Sequence, residues 1–157
     1  MRLKENKKML ILFIVILLVL IDQIIKQVIV NSLYNESIIF IKGLINFTYV
    51  ENTGGAFGIG RNSVIVFILA NIIIIGCLIK IILSKNNSLN LLSLLSMAFI
   101  ISGGIGNLID RIFRGFVVDY IDINPIFKYP VFNLADIFIV LGCIVLAIEL
   151  IINKEKL

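Results

Sequence analysis

The sequence has no histidine, and its two cysteines, Cys77 and Cys143, both fall inside apolar runs. The missing imidazole excludes the HExxH metalloprotease arrangement and the Ser-His and Cys-His nucleophile pairs, each of which needs one. Two separated thiols in greasy surroundings behave as small hydrophobes, so they support neither a zinc site nor an inferred disulfide. Charge is scarce as well: 15% of the 157 residues are charged, against about 25% in an ordinary soluble domain. Hydrophobic residues make up 60% of the chain, and its mean hydropathy is +1.10. Such a composition marks one integral membrane unit spanning residues 1–157. The net charge of +4 raises nucleic acid as a partner, but basic blocks interleaved with exposed aromatics are missing, and membrane topology accounts for the basic residues.

Four apolar stretches are long enough to cross a bilayer, which takes about 20 helical residues. They cover roughly residues 9–30, 63–83, 91–111 and 131–152. The first follows a basic start (Arg2, Lys4, Lys7, Lys8) and resembles a signal peptide, but no small-x-small cleavage site or lipobox cysteine follows, so an uncleaved helix is expected. Two outer segments, about 31–62 and 112–130, interrupt the helices. Within them residues 37–42, 45–50 and 116–123 have the β-branched and aromatic content of short strands. The expected fold is therefore an all-α membrane protein, a four-transmembrane-helix bundle with a small extramembrane β-sheet resting on the membrane.

Polar residues inside such helices need a reason. Asp22 and Lys26 are spaced i, i+4 and can pair along one face, as a local neutralising pair or as part of a site. Residues 51–60 (ENTGGAFGIG) form a glycine-rich loop without the GK[ST] ending of a phosphate-binding loop. Gly103, Asn107, Asp110 and Arg111 share one helical face, either as interhelical glue with an Asp110 to Arg111 charge balance or, as their clustering at one end favours, as part of a site. Asp136, five residues past the apolar start at Val131, is expected roughly 8 Å down the fourth helix. Glu149 is expected to snorkel to water at its far end. Eight basic residues on the side of the termini against five on the other predict cytoplasmic termini. The Asp22 end of the first helix, the glycine loop, residues 107–111, Asp119 and residues 133–136 then gather at the outer face.

Two carboxylates in a partly desolvated place cannot both ionise cheaply, so one keeps a proton and the other does not. A pair such as Asp119 and Asp136 is a general acid and a general base at once, with Asn52, Asn107 and Asn133 as amides able to hold it. A small transporter or channel relaying ions through buried acids is the alternative, but its ionisable groups should run across the membrane rather than collect at one face. The GxGD type of intramembrane protease fails at residue 107, where asparagine stands in place of the required aspartate.

At this point the motifs Asp22-Gln23 with Lys26, NTGGAFG at 52–58, GNLIDR at 106–111, VVDY at 117–120 and FNLAD at 132–136 resemble the lipoprotein signal peptidase family, signal peptidase II, in the family's order. The resemblance implies an aspartic endopeptidase of the bacterial plasma membrane that removes the signal peptide from prolipoproteins just before a diacylglyceryl-modified cysteine. It implies Asp119 and Asp136 as the catalytic pair, with Asn52, Gly54, Asn107, Asp110, Arg111, Asn133 and Ala135 lining or supporting the site and Asp22 and Lys26 contributing from the first helix. It also implies no metal or other cofactor, a prolipoprotein and membrane lipid as partners, and sensitivity to globomycin-type cyclic peptides. Nothing requires a second subunit, so a monomer is expected. Gly55 and Gly104 stand where the family usually has alanine, Ser102 where it usually has glycine and Tyr120 where phenylalanine is common; all keep the local size or aromatic character.

Overall fold

The computed structural model describes residues 2–34, 36–55, 63–84 and 89–154. Phe57, Gly58 and Gly60 of the glycine loop lie outside the described residues. Four helices and three strands are arranged as α1 (Arg2–Leu33), β1 (Ser37–Ile41), β2 (Ile45–Asn52), α2 (Val64–Leu83), α3 (Leu91–Phe113), β3 (Val117–Asp122) and α4 (Leu134–Lys154). All four helices are long and apolar enough to cross a membrane. The chain is thus a four-helix membrane protein with a small antiparallel sheet at one end.

α3 is the centre of the bundle, with α1, α2 and α4 all packed on it. Small residues let the backbones approach closely. A Cβ on Gly103 would run into the Ala135 carbonyl and Ile139, and one on Gly142 would meet the Ser96 carbonyl at 2.6 Å. The outer surfaces stay apolar: Phe13, Ile65, Ile73 and Leu150 are all exposed, as lipid-facing side chains are.

The sheet order is β1-β2-β3, with both neighbours antiparallel. Strand side chains alternate between faces, which divides the sheet's work. Tyr49, Val118 and Tyr120 pack onto Ile29 and Leu33 at the end of α1. Val50, Asn52, Val117 and Asp119 face the other way and line a cavity. A register shift between Phe47 and Val50 marks a bulge in β2, the kind of irregularity that re-aims side chains near a site. Beyond it Val50 stands opposite Asp119 and Asn52 opposite Val117, which makes Asn52 the diagonal neighbour of Asp119.

The fourth helix begins at Leu134, not at Val131. Asn133 caps it. Its Oδ1 accepts the Asp136 N–H at 3.0 Å, while the Asp136 Oδ2 accepts the Asn133 N–H at 3.2 Å. This reciprocal pair is a capping box with aspartate at the third helical position. Asp136 therefore sits in the first turn rather than a turn and a half down, where the helix dipole and free N–H groups favour a negative charge.

Candidate active site

Asp119 comes from β3 and Asp136 from the first turn of α4, and both line a cavity of about 830 Å³. Each of their four carboxyl oxygens accepts one N–H. Asn52 Nδ2 donates to Asp119 Oδ2 at 2.8 Å, and Asn133 Nδ2 donates to Asp119 Oδ1 at 2.7 Å. Asn107 Nδ2 donates to Asp136 Oδ1 at 2.8 Å, and the backbone of Asn133 serves the other oxygen. The amides are themselves oriented. Asn52 Oδ1 accepts the Gly54 N–H at 2.9 Å, and Asn107 Oδ1 accepts from Asn133 Nδ2 at 3.2 Å.

Asp119 is 2% exposed. Burial, and then the neighbouring negative charge of Asp136, push its carboxyl up to about 7, against the pull of the Asn52 and Asn133 bonds. Near neutral pH the site therefore retains a proton that an ordinary aspartate would have lost.

Behind the carboxyls lies a buried ionic cluster. Lys26 reaches Asp22 and Asp110, each at 3.0 Å, and all three side chains are fully enclosed. Asp22 Oδ1 accepts the Ala135 N–H at 3.1 Å, so an α1 side chain caps α4. Asp110 accepts from the Val118 backbone at 3.1 Å, which fixes β3 beside α3, and from Arg114 Nε at 3.2 Å. The Asp22–Lys26 pair is therefore tied to the elements that carry the two carboxyls rather than isolated. Asp110 makes its salt bridges with Lys26 and Arg114, not with Arg111. Consecutive helix residues point about 100° apart, and Asp110 turns to Lys26 and Arg114 while Arg111 turns to the cavity.

Arg111 Nη2 donates to the Gly54 carbonyl at 3.0 Å, and its guanidinium lies 5.2 Å from the Phe67 ring centroid, tying the loop after β2 to the start of α2. Among the described residues, Arg111 Nε is the one buried side-chain N or O without a partner, while the residue as a whole lines the cavity. Every residue singled out above for the site, Asp22, Lys26, Asn52, Gly54, Asn107, Asp110, Arg111, Asp119, Asn133, Ala135 and Asp136, falls in this one region.

Four further residues contribute that were not assigned to the site. Gln23 donates to the Gly106 carbonyl at 3.0 Å. Arg114 completes the ion cluster, and its i, i+4 spacing from Asp110 was the available signal. Ile139 and Val140 line the cavity from α4, and Val140, 54% exposed, lies on that helix's outer surface. Among the described residues no group of three His, Cys, Asp or Glu is placed to hold a metal ion. Glu149, expected to snorkel, is instead 6% exposed at the opposite end of the bundle, with both its oxygens accepting from Ser93 Oγ at 2.7 Å.

The family model described as Signal peptidase (SPase) II matches residues 14–152. A lipoprotein signal peptidase of Clostridioides difficile (strain 630) is 38% identical over 149 residues, covering 94% of this chain and 99% of that one. One from Halothermothrix orenii is 39% identical over 138 residues, 87% of this chain and 92% of the relative. A bacterial membrane enzyme solved by the in meso method at 2.3 Å resolution superposes with a TM-score of 0.87 at 31% identity, covering 93% of this chain and 90% of the other. With the four-helix bundle, the sheet and the carboxyl-lined cavity already in hand, these likenesses agree, and the chain belongs to the signal peptidase II family of membrane peptidases.

Proposed function

We propose that the chain is an aspartic endopeptidase that cuts prolipoproteins immediately before a diacylglyceryl-modified cysteine, with Asp119 and Asp136 as its catalytic pair. The observation that carries this reading is the cavity the two carboxyls share, in which every oxygen is held by an N–H donor and one carboxyl is raised to about 7. Asp119 holds the shared proton. Asp136, at a helix N-terminus and with two donors, serves as the general base.

Asp136 takes a proton from a water as the water oxygen bonds to the scissile carbonyl carbon, and Asp119 gives its proton to the developing oxyanion. When the tetrahedral intermediate collapses, the carbon–nitrogen bond breaks, Asp136 gives the proton it took from water to the departing amine of the cysteine, and one hydroxyl of the gem-diol returns its proton to Asp119 as the carbonyl re-forms. The products are a carboxylic acid and a free α-amine, and the pair again holds one proton. Arg111, which lines the cavity, brings a positive charge to the side of the substrate backbone. Ile139 and Val140 offer an apolar wall running into the bilayer for the acyl chains.

In this reading the protein is a monomer in the bacterial plasma membrane, with cytoplasmic termini and its active site near the outer surface. Globomycin-type cyclic peptides compete for the cavity, and chelators leave the activity intact. Asp119→Asn and Asp136→Asn test the pair directly. Each should lower cleavage of a diacylglyceryl-modified prolipoprotein by about 1,000-fold or more, a loss typical of removing an acid–base group, while the protein still inserts and folds. Retained cleavage by either folded variant overturns the assignment.

A further inference from the structure

The Lys26 ammonium has three protons and three acceptors within 3.0 Å: Asp22 Oδ2, Asp110 Oδ2 and Asn107 Oδ1, the last at 2.9 Å. The two carboxylates are its counterions. The third acceptor is a neutral amide whose other end donates to Asp136 at 2.8 Å. We propose that Lys26 is a positioning residue for the carboxyl pair, holding the oxygen of Asn107 and thereby aiming the Asn107 amide protons at Asp136. This rests on the reading of Asp136 as a member of that pair.

The direction of the Asn107 amide follows from donor and acceptor counting. Lysine has no acceptor, so turning the amide over would set its NH₂ against the ammonium and against Asn133 Nδ2, and its oxygen against the Asp136 carboxylate. Asn133 alone holds Asn107 less firmly, because its Nδ2 lies 3.2 Å from Asn107 Oδ1 and 2.7 Å from Asp119. The ammonium also polarises the amide along its length, which makes the N–H a stronger donor, as in other chained hydrogen bonds. Four elements fix the ammonium in place. Asp22 is tied to the Ala135 N–H of α4, and Asp110 to the Val118 N–H of β3 and to Arg114. Lys26 lies behind Asn107, and of the two only Asn107 lines the cavity, so Lys26 acts through another residue rather than on the substrate.

The test is a double-mutant cycle of Lys26→Met and Asn107→Ala in the full-length protein, reading kcat and KM on a lipidated prolipoprotein peptide. Lys26→Met should lower kcat by about 10–100-fold, the range for outer residues that orient the inner ones, with KM within about 2-fold. The double variant should fall within about 3-fold of Asn107→Ala alone, because the second change removes what the first acted through. Losses that multiply, or a rise in KM with kcat unchanged, overturn the proposal. Lys26→Met strands two buried carboxylates, so the same comparison is made in an Asp22→Asn background, where one charge of each sign is removed and Asp110 keeps Arg114. There, adding Lys26→Met should lower kcat only while Asn107 is present; no loss, or a loss that persists in Asn107→Ala, contradicts it. Asp136→Asn is measured alongside. If that variant cleaves, the catalytic pair itself is wrong, whereas an inactive Asp136→Asn with multiplicative losses elsewhere removes Lys26 alone.

Discussion

α2 and α3 are similar in length, 20 and 23 residues, and both are apolar enough to cross a bilayer, yet they solve opposite problems. In the most apolar stretch of α3, 61% of the residues are buried, against 6% in α2. α2 buries Ile75 alone. α3 buries Ser93, Ser96, Ser102, Asn107, Asp110 and Arg111 together with its glycines. Polar atoms survive in α3 because α1 and α4 supply partners for Ser93, Asn107 and Asp110, the helix's own carbonyls for Ser96 and Ser102 and the loop after β2 for Arg111, whereas lipid solvates α2 and would leave polar atoms on its outer face unsatisfied. Hydropathy says that both helices cross the membrane; only the small and polar residues say which one is the centre.

Glycine substitutions probe this difference most sharply. Gly103→Ala should have the largest effect, because its Cβ would meet the backbone carbonyl of Ala135, and backbone cannot swing aside. A loss of about 2–3 kcal/mol is expected, in the range of overpacking, read as a Tm lower by roughly 6–10 °C; an unchanged Tm would mean that α3 and α4 are not so closely apposed. Glu149→Ala comes next, at about 1–2 kcal/mol, since it removes the acceptor facing the Asn90 amide and leaves the Ser93 hydroxyl only its longer bond to Asn90 Oδ1 at 3.3 Å. Here stability should drop while kcat of the folded protein is kept, because the change lies at the end of the bundle away from the cavity. Gly104→Ala should shift Tm by less than about 2 °C: its Cβ would lie 3.2 Å from the flexible Ile75 Cδ1, which can give by a few tenths of an ångström. Gly76→Ala in α2 should be smallest and of opposite sign. A Cβ there meets nothing within 4 Å, so the helix gains about 0.5–1 kcal/mol from lost glycine freedom. A destabilised Gly76→Ala would contradict a lipid-facing α2.

The residues of the site were legible in the sequence because their types are out of place in apolar helices and their order matches one family. Their connections were less so. The helix begins at Leu134 rather than Val131 because Val131 and Phe132 are apolar but extended, and hydropathy cannot tell extended from helical backbone; the Asn-x-x-Asp spacing of Asn133 and Asp136 is the signal of a cap. The choice between a charge balance and a site for Asp110 and Arg111 is not readable from their adjacency, because neighbours on a helix point apart. The buried state of Glu149 depends on Asn90 and Ser93 of another helix, which no local pattern reports. The bulge in β2 likewise arises from pairing with β3, and with it the approach of Asn52 to Asp119.

The proton on Asp119 is the most direct point of test. A carboxyl raised from 3.8 to about 7 gives the folded state a stability contribution that is full below about pH 4 and lost as pH rises through about 7, and cleavage should decline over the same upper limb. The measurement is an infrared pH titration of the protonated-carboxyl band, taken as the difference between the protein and Asp119→Asn. The expected result is a band present at about pH 5, halved near pH 7 and absent from the variant. A carboxyl at Asp119 already ionised at about pH 5, close to ordinary aspartate behaviour, would contradict a pair that shares one proton.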